Sequence, residues 1–161
     1  MLNRRFLITL SAAALLAACA TPQPAPASVA VTIARDPQLS TLNTLIQKAG
    51  LTETLQAAGP YTVFAPTNDA FKNVPAKTMD ELGRDPARLK SVLSYHVLPA
   101  RVVANDVRNG NAKTAQGGEL ALSKAGEYVT VEDAMVQTAD IMATNGVIHT
   151  VDRVLLPPVR R

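Results

Sequence analysis

The chain has 161 residues, with 16 Lys and Arg, 13 Asp and Glu, one cysteine and no tryptophan. Four of the arginines lie at the two ends of the chain, so the body is close to neutral and lacks the clustered basic residues that bind nucleic acid. A single cysteine excludes an intramolecular disulfide, so a hydrophobic core must stabilise the fold.

The N-terminus has the pattern of an export leader. Arg4 and Arg5 precede an apolar run, residues 6–18, which is short for a bilayer-spanning helix. The run ends in LAA followed by Cys19, which is the pattern of a bacterial lipobox. We predict a signal peptide over residues 1–18 and acylation of Cys19. The paired arginines also fit a twin-arginine export signal.

A proline-rich tether follows the cysteine. Residues 20–28, ATPQPAPAS, contain three prolines, which fix φ and remove backbone donors, so the stretch favours an extended chain. We assign residues 19–29 to the lipidated cysteine and tether; the alternative is a proline-rich ligand for a partner domain. Ala20 replaces the aspartate that often retains lipoproteins in the inner membrane. We therefore expect outer-membrane sorting, with the domain in the periplasm or on the cell surface.

One domain is predicted over residues 30–158, followed by a basic tail at residues 159–161. Its first half has the periodicity of helices, because apolar residues recur at three- and four-residue steps. Asp85 and Pro86 suit the N-cap and first turn of one of these helices. The predicted elements of this half are helices over residues 36–50, 51–59 and 85–97, with a strand at residues 61–65.

The second half of the domain has the alternation of strands. Asn145-Gly146 is a strong turn signal between two of them. Helices followed by antiparallel strands indicate an α+β fold. The predicted elements are a hairpin of ELALS and EYVTVE joined through residues 124–126, a strand at residues 134–143, and a long β-rich run over residues 147–156 that ends at Pro157.

Three blocks of this sequence resemble the signature segments of the fasciclin I domain family. They are YTVFAPTNDAF at residues 61–71, LKSVLSYHVLPARV at residues 89–102 and DIMATNGVIHTVDRVLLP at residues 140–157. The blocks occur in the family's order and span most of the domain. The resemblance implies a compact, wedge-shaped β-sandwich with helices packed around it. It also implies a role in adhesion or extracellular protein contacts, and small single-domain bacterial members are often secreted or lipid-anchored.

The polar residues Thr67, Asn68 and Asp69 follow Pro66, which ends the predicted strand. Thr67 or Asn68 can cap the next helix, and Asp69 suits its positively polarised first turn. We interpret the three residues as a structural corner. The alternative is a hydrolase site with Thr67 as nucleophile and His96 as base, but no glycine elbow or oxyanion hole accompanies them.

The resemblance implies that two residue pairs matter for binding. An aspartate–isoleucine pair and a tyrosine–histidine pair are implicated in receptor binding by animal members, and they match Asp140, Ile141, Tyr95 and His96. We interpret Ile141 and Tyr95 as core residues. Asp140 is expected to be exposed at a sheet margin, where its loss would leave folding almost unchanged.

The two histidines do not suggest a metal or cofactor site. His96 is expected to be partly buried and to hydrogen-bond backbone or the 67–69 corner. His149 alternates with Ile148, so the two should face opposite sides of a strand. Two histidines without an acidic cluster do not make a metal site, and no glycine-rich phosphate loop is present. We predict no cofactor and no metal.

The sequence therefore favours a lipid-anchored, non-catalytic adhesion or protein-interaction module of the cell envelope, expected to be a monomer. Its partner is an unidentified protein or surface glycan, and its membrane contact is through the lipid only. The alternative is an envelope lipoprotein that binds a small molecule or glycan in a preformed pocket. A hydrolase is the second alternative.

Overall fold

The computed structural model describes residues 26–158 of the chain. The leader, Cys19, most of the tether and the basic tail lie outside the described residues. The helices are α1 (Val29–Arg35), a 3₁₀ turn (Pro37–Leu39), α2 (Ser40–Lys48), α3 (Thr52–Gln56), α4 (Asn68–Lys72), α5 (Ala76–Arg84) and α6 (Pro86–Tyr95). The strands are β1 (Tyr61–Pro66), β2 (Val97–Leu98), β3 (Gly110–Lys113), β4 (Glu119–Ala125), β5 (Tyr128–Val131), β6 (Ala134–Ala143) and β7 (Gly146–Val151).

The strands are hydrogen-bonded in the order β2-β1-β7-β6-β5-β4-β3. β1 and β7 are parallel, from Tyr61 opposite Gly146 to Pro66 opposite Val151. All other neighbouring strands are antiparallel. The start of β6 pairs with β5 and the rest pairs with β7, with register shifts along the strand. Such bulges bend a strand, so the two halves of the sheet face each other as a sandwich.

The sheet core fills the space between the two halves of the sandwich. Phe64 of β1 and Val151 of β7 contribute from one half, and Val129 and Val131 of β5 contribute from the other. All four are at most 4% exposed. Their burial on both sides of the gap stabilises the sandwich by roughly 1.5–3 kcal/mol per large side chain.

The helical core lies on the opposite face of β1 and β7. Val63, Ala65 and Ile148 of these strands pack against apolar residues of α1, α2, α3 and α6. β1 is therefore buried on both faces, which explains why its sequence is almost continuously apolar. Val29, assigned above to the tether, begins α1 and is fully buried in this core.

The predicted α+β class, the sandwich and the N-terminal helices are confirmed. The side chains of β1 alternate between the two cores, with Val63 on the helical face and Phe64 on the sheet face. The helix predicted at Asp85 begins there, and the Asp85 carboxylate accepts hydrogen bonds from the amides of Ala87 and Arg88 at 3.0 and 3.1 Å.

Two strand predictions were wrong in extent. The long run over residues 147–156 is not one strand, because β7 stops at Val151. The Asp152 amide still donates to the Met135 carbonyl at 3.2 Å, but the Met135 amide donates to the Asp152 carboxylate at 2.7 Å, so a side chain replaces one of the two backbone bonds where the strand ends. The β4–β5 turn is also shorter than predicted. β4 continues through Ala125, and the chain reverses at Gly126, where φ is +65°.

Candidate functional site

The polar corner joins β1 to α4. Thr67 is the N-cap of α4, since its hydroxyl accepts a hydrogen bond from the Ala70 amide at 3.3 Å. Asn68 links the corner to the start of α2. Its Oδ1 accepts from the Thr41 amide at 3.0 Å, and its Nδ2 donates to the Pro37 carbonyl at 2.9 Å. These two side chains therefore hold the turn of the backbone and attach it to a neighbouring helix.

Asp69 has a different environment from the other two corner residues. It is exposed and forms an ion pair with Lys72 at 2.7 Å, one turn along α4. An exposed pair of this kind contributes little to stability, about 0–1 kcal/mol. Its position in the first turn also suits the positive end of the helix dipole.

Tyr95 and His96 are buried at the end of α6, each with 2% of its surface exposed. The Tyr95 hydroxyl donates to the Glu119 carbonyl at 2.8 Å. The His96 ring makes two backbone hydrogen bonds. Nδ1 lies 2.8 Å from the Val92 carbonyl, and Nε2 accepts from the Leu155 amide at 3.0 Å. One neutral tautomer, protonated at Nδ1, satisfies both bonds.

The environment of both side chains keeps them uncharged. Burial lowers the pKa of His96 to about 4, although the hydrogen bond to the Val92 carbonyl acts in the opposite direction. Burial, with a smaller contribution from the nearby carboxylate of Glu132, raises the pKa of Tyr95. At neutral pH neither residue carries charge, and neither has an exposed face to offer a partner.

Asp140 is exposed and lies in the irregular part of β6. Its φ is +57°, a left-handed conformation that aspartate tolerates better than most residues. Its carboxylate accepts the Ala104 amide at 2.8 Å, and its own amide donates to Nδ1 of His149 at 3.2 Å. Asp140 is exposed as predicted, but these bonds give it a structural role that the sequence did not indicate.

His149 lies on the sheet-core face of β7, while Ile148 faces the helical core. Its ring stacks on Phe64, with centroids 5.6 Å apart and planes inclined by 24°. Nε2 lies 2.8 Å from the Val102 carbonyl, so the neutral tautomer protonated at Nε2 also accepts the Asp140 amide at Nδ1. Burial lowers the pKa of His149, against the effects of the Val102 hydrogen bond and the Asp140 charge.

The segment after β2 is held by three side chains from three strands. Thr62 donates to the Ala100 carbonyl at 2.6 Å and accepts the Val102 amide at 2.8 Å. His149 and Asp140 hold the same segment through their bonds described above. We call these three residues the loop clamp. It orders a surface segment that has no regular secondary structure from residue 99 to residue 109.

The structure does not bring the two predicted binding pairs onto one surface. Tyr95 and His96 are buried, and Ile141 is half-buried against the helical core, opposite Ile148. Within residues 26–158, no hydrogen bond joins the Tyr95–His96 pair to the Asp140–Ile141 pair. Of the four candidate residues, Asp140 alone is exposed.

Asn145 has a connecting role that sequence reasoning missed. Its Nδ2 donates to the carbonyls of Leu55 and Ala57 at 2.8 and 2.7 Å, and its Oδ1 accepts the Val29 amide at 2.8 Å. It therefore joins the β6–β7 turn to the end of α3 and the start of α1. The sequence indicated only a turn, because every partner lies 88 or more positions away.

The surface clefts of residues 26–158 include three in the volume range of small-ligand sites, of which the smallest, about 430 Å³, lies beside the end of α4. The corner cleft, about 550 Å³, lies beside the polar corner; its lining includes Gln38, Asp69, Lys72, Asn73, Gln137 and Arg153. The helix cleft, about 540 Å³, lies between α5, α6 and the C-terminal segment; its lining includes Leu82, Ser91, Gln116, Leu156 and Pro158.

Metal-binding side chains are dispersed in the described structure. Between residues 26 and 158, no three His, Cys, Asp or Glu side chains lie close enough to hold a metal ion together. None of the helices in this part of the chain is long and apolar enough to cross a membrane.

Comparisons with known proteins agree on one family. The model of the fasciclin domain matches residues 37–157. Protein sll1483 of Synechocystis sp. is 43% identical over 122 residues, covering 74% of this chain and 68% of that protein. Transforming growth factor-beta-induced protein ig-h3 of Sus scrofa is 43% identical over 127 residues, covering 78% of this chain but 19% of that protein. Cell surface glycolipoprotein MPB83 of Mycobacterium bovis is 34% identical over 137 residues, covering 82% of this chain and 61% of that protein.

A solved structure has the same fold. A FAS1 domain pair from the insect cell adhesion molecule fasciclin I superposes with a TM-score of 0.65 and 17% identity, covering 81% of this chain and 51% of that one. The family model and the Synechocystis relative each cover most of this chain, and the model's match includes every strand of the sheet. The chain therefore belongs to the fasciclin domain family.

Proposed function

We propose that this chain is a lipid-anchored adhesion or protein-interaction module of the cell envelope and that it performs no catalysis. The observation that carries the proposal is that the polar residues of its family blocks are used by the fold itself. Thr67, His96 and His149 are buried, and each is hydrogen-bonded to backbone groups. Because these polar side chains are buried and bonded within the fold, a partner can contact only other residues, on the surface of the domain.

The geometry of Thr67 and His96 supports a non-catalytic role. A hydroxyl nucleophile needs a base within hydrogen-bond reach. The Thr67 hydroxyl instead caps α4, and both ring nitrogens of His96 are engaged by Val92 and Leu155. In the tautomer protonated at Nδ1, Nε2 already accepts the Leu155 amide, so it could take a proton from a hydroxyl only after that hydrogen bond is broken.

Names of relatives support an adhesive, surface-exposed role. The solved structure comes from a protein described as a cell adhesion molecule, and the mycobacterial relative is described as a cell surface glycolipoprotein. Acyl chains contribute about 0.8 kcal/mol per buried CH₂, so several chains on Cys19 would keep the protein on the membrane. Outer-membrane sorting is proposed because Ala20 stands where an aspartate often retains lipoproteins in the inner membrane.

The experiment for the anchor is the Cys19→Ser variant, expressed from the full gene in cells labelled with palmitate. We expect wild type to incorporate label and to fractionate with the outer membrane. The variant should accumulate as an unlabelled precursor. Equal labelling of the two proteins would refute the anchor, and wild type found only in the inner membrane would refute the sorting.

The second candidate function is binding of a glycan or small molecule. It is favoured by the corner cleft, whose volume of about 550 Å³ falls within the range of known ligand sites. A pull-down from envelope extracts with the anchored protein, analysed for both protein and carbohydrate, separates the two functions.

A further inference from the structure

We propose that the corner cleft is the ligand site of the anchored protein, that it faces away from the membrane, and that its ligand is a neutral carbohydrate. The orientation rests on the proposed lipid anchor. The choice of ligand deepens the second candidate function and rests on the chemistry of the cleft lining.

The chain enters the domain at one end of the sheet. The Ala27 carbonyl accepts the Thr144 amide at 2.9 Å, and the Val29 amide donates to Asn145 at 2.8 Å. Both contacts lie at the β6–β7 turn. We call this end of the domain the tether end. A chain arriving from Cys19 is therefore attached to the domain beside this turn.

The corner cleft lies at the other end of the sheet. β1 and β7 run in parallel away from the tether end and finish at Pro66 and Val151, directly before the corner residues and Asp152 that line the cleft. Each strand has six residues, which corresponds to about 20 Å at 3.3 Å per residue. The tether and the cleft are thus separated by the length of the sheet.

The length of the tether limits how far the tether end can lie from the membrane. Residues 20–26 number seven, and an extended proline-rich chain spans about 3.1 Å per residue, or roughly 22 Å in all. The tether end must therefore remain within about that distance of the lipid surface. With the tether end held near the membrane, the proposed orientation places the opposite end, with the cleft, toward the space in which a ligand is met.

The charges lining the cleft cancel. Asp69 pairs with Lys72 at 2.7 Å, and Arg153 pairs with Asp133 at 3.1 Å. The Asp152 carboxylate is bonded to the Met135 amide. With two acidic and two basic side chains in its lining, the cleft has no excess charge with which to select an ionic ligand.

Free hydrogen-bonding capacity in the cleft comes from three amide side chains. Gln38, Asn73 and Gln137 are exposed, and within residues 26–158 none of them makes a side-chain hydrogen bond. Each amide offers two donors and an acceptor on one plane, which matches the adjacent hydroxyls of a sugar. The helix cleft is a weaker choice for a sugar, because its lining is more apolar.

Ligand binding is tested with the processed, acylated protein in liposomes, against neutral oligosaccharides of glucose, galactose and N-acetylglucosamine, by calorimetry. Gln137→Ala and Asn73→Ala remove free amides from the cleft. The matched control is Gln56→Ala, an exposed glutamine at the tether end. We expect at least one oligosaccharide to bind, with about tenfold weaker affinity for each cleft variant and less than twofold change for the control, as for the loss of one or two hydrogen bonds.

Orientation is tested by placing a fluorophore on Lys72→Cys or Gln56→Cys and measuring quenching by nitroxide-headgroup lipids. We expect strong quenching at position 56 and weak quenching at position 72. Co-sedimentation with the liposomes reports the anchor separately, so loss of the anchor is distinguished from wrong orientation. The proposal is overturned if no oligosaccharide binds, if the control weakens binding as much as the cleft variants, or if position 72 is quenched more than position 56.

Discussion

The buried neutral state of His96 makes the stability of the domain depend on pH. In the unfolded chain a histidine has a pKa of about 6.5, whereas burial lowers the pKa of folded His96 to about 4. Below pH 6.5 the unfolded chain therefore binds a proton that the folded domain does not. Stability contributed by neutral His96 is complete above pH 6.5 and is lost progressively as the pH falls toward 4.

The difference of the two pKa values sets the size of the effect. It corresponds to a loss on the order of 3 kcal/mol between pH 7.5 and pH 4. This loss is a large fraction of the free energy of unfolding of a typical domain, which is about 5–15 kcal/mol. His149 acts in the same direction, because its pKa is also lowered by burial. A variant is therefore needed to isolate His96.

His96→Gln removes the titrating group while leaving an oxygen that can accept the Leu155 amide. Urea unfolding of residues 26–158 should show the variant less stable than wild type at pH 7.5, by roughly 1–3 kcal/mol, since the bond to the Val92 carbonyl is perturbed. Between pH 7.5 and 4 the variant should lose about 3 kcal/mol less than wild type. An identical pH dependence in both proteins, or an NMR titration of His96 near pH 6.5, would refute the reasoning.

Three further predictions concern stability, each measured by urea unfolding. Asp140→Ala should destabilise the domain by about 1–3 kcal/mol, because the variant loses the bond to Ala104 and keeps a left-handed φ. Asp140→Asn, the control, should be nearly as stable as wild type. An Asp140→Ala variant as stable as wild type would contradict the prediction. Asn145→Ala should cost roughly 2–4 kcal/mol, because three backbone groups lose their partner, and a cost below 1 kcal/mol would disprove the connecting role. Thr67→Ala should cost about 1 kcal/mol through the lost cap, with Thr67→Ser as the control that retains it; equal stability of the two variants would argue against capping.

Local interactions of this chain could be predicted from its sequence. Asp85 caps α6 through amides two and three residues away, and Gly50 follows α2 with a φ of +67°. The alternation of Val63 and Phe64 already indicates two buried faces, since side chains of a strand point to opposite sides. The resemblance of the three blocks to the family and the predicted acylation of Cys19 likewise depend only on residue order and spacing.

The extent of β7 and the role of Asp140 could not be predicted in this way. The run over residues 147–156 is rich in β-prone residues and favours a long strand, but its last part leaves the sheet, where the Leu155 amide donates to His96, 59 positions earlier. Asp140 has the exposure expected of a binding residue. Its bond to Ala104 joins residues 36 positions apart, in a segment that Thr62 of β1 and His149 of β7 hold in place.

The sequence by itself determined the fold class, the helix caps, the faces of β1 and the family, because these depend on contacts within a few residues or on the pattern of the blocks. Tertiary structure alone decided the parallel pairing of β1 with β7, the three partners of Asn145 and the separation of Ala27, at the β6–β7 turn, from the corner cleft. Each of these depends on groups that are far apart in the chain. These groups come into contact because the helical core and the sheet core pack on the two faces of the same strands. Local propensity does not predict such contacts, since it depends only on neighbouring residues.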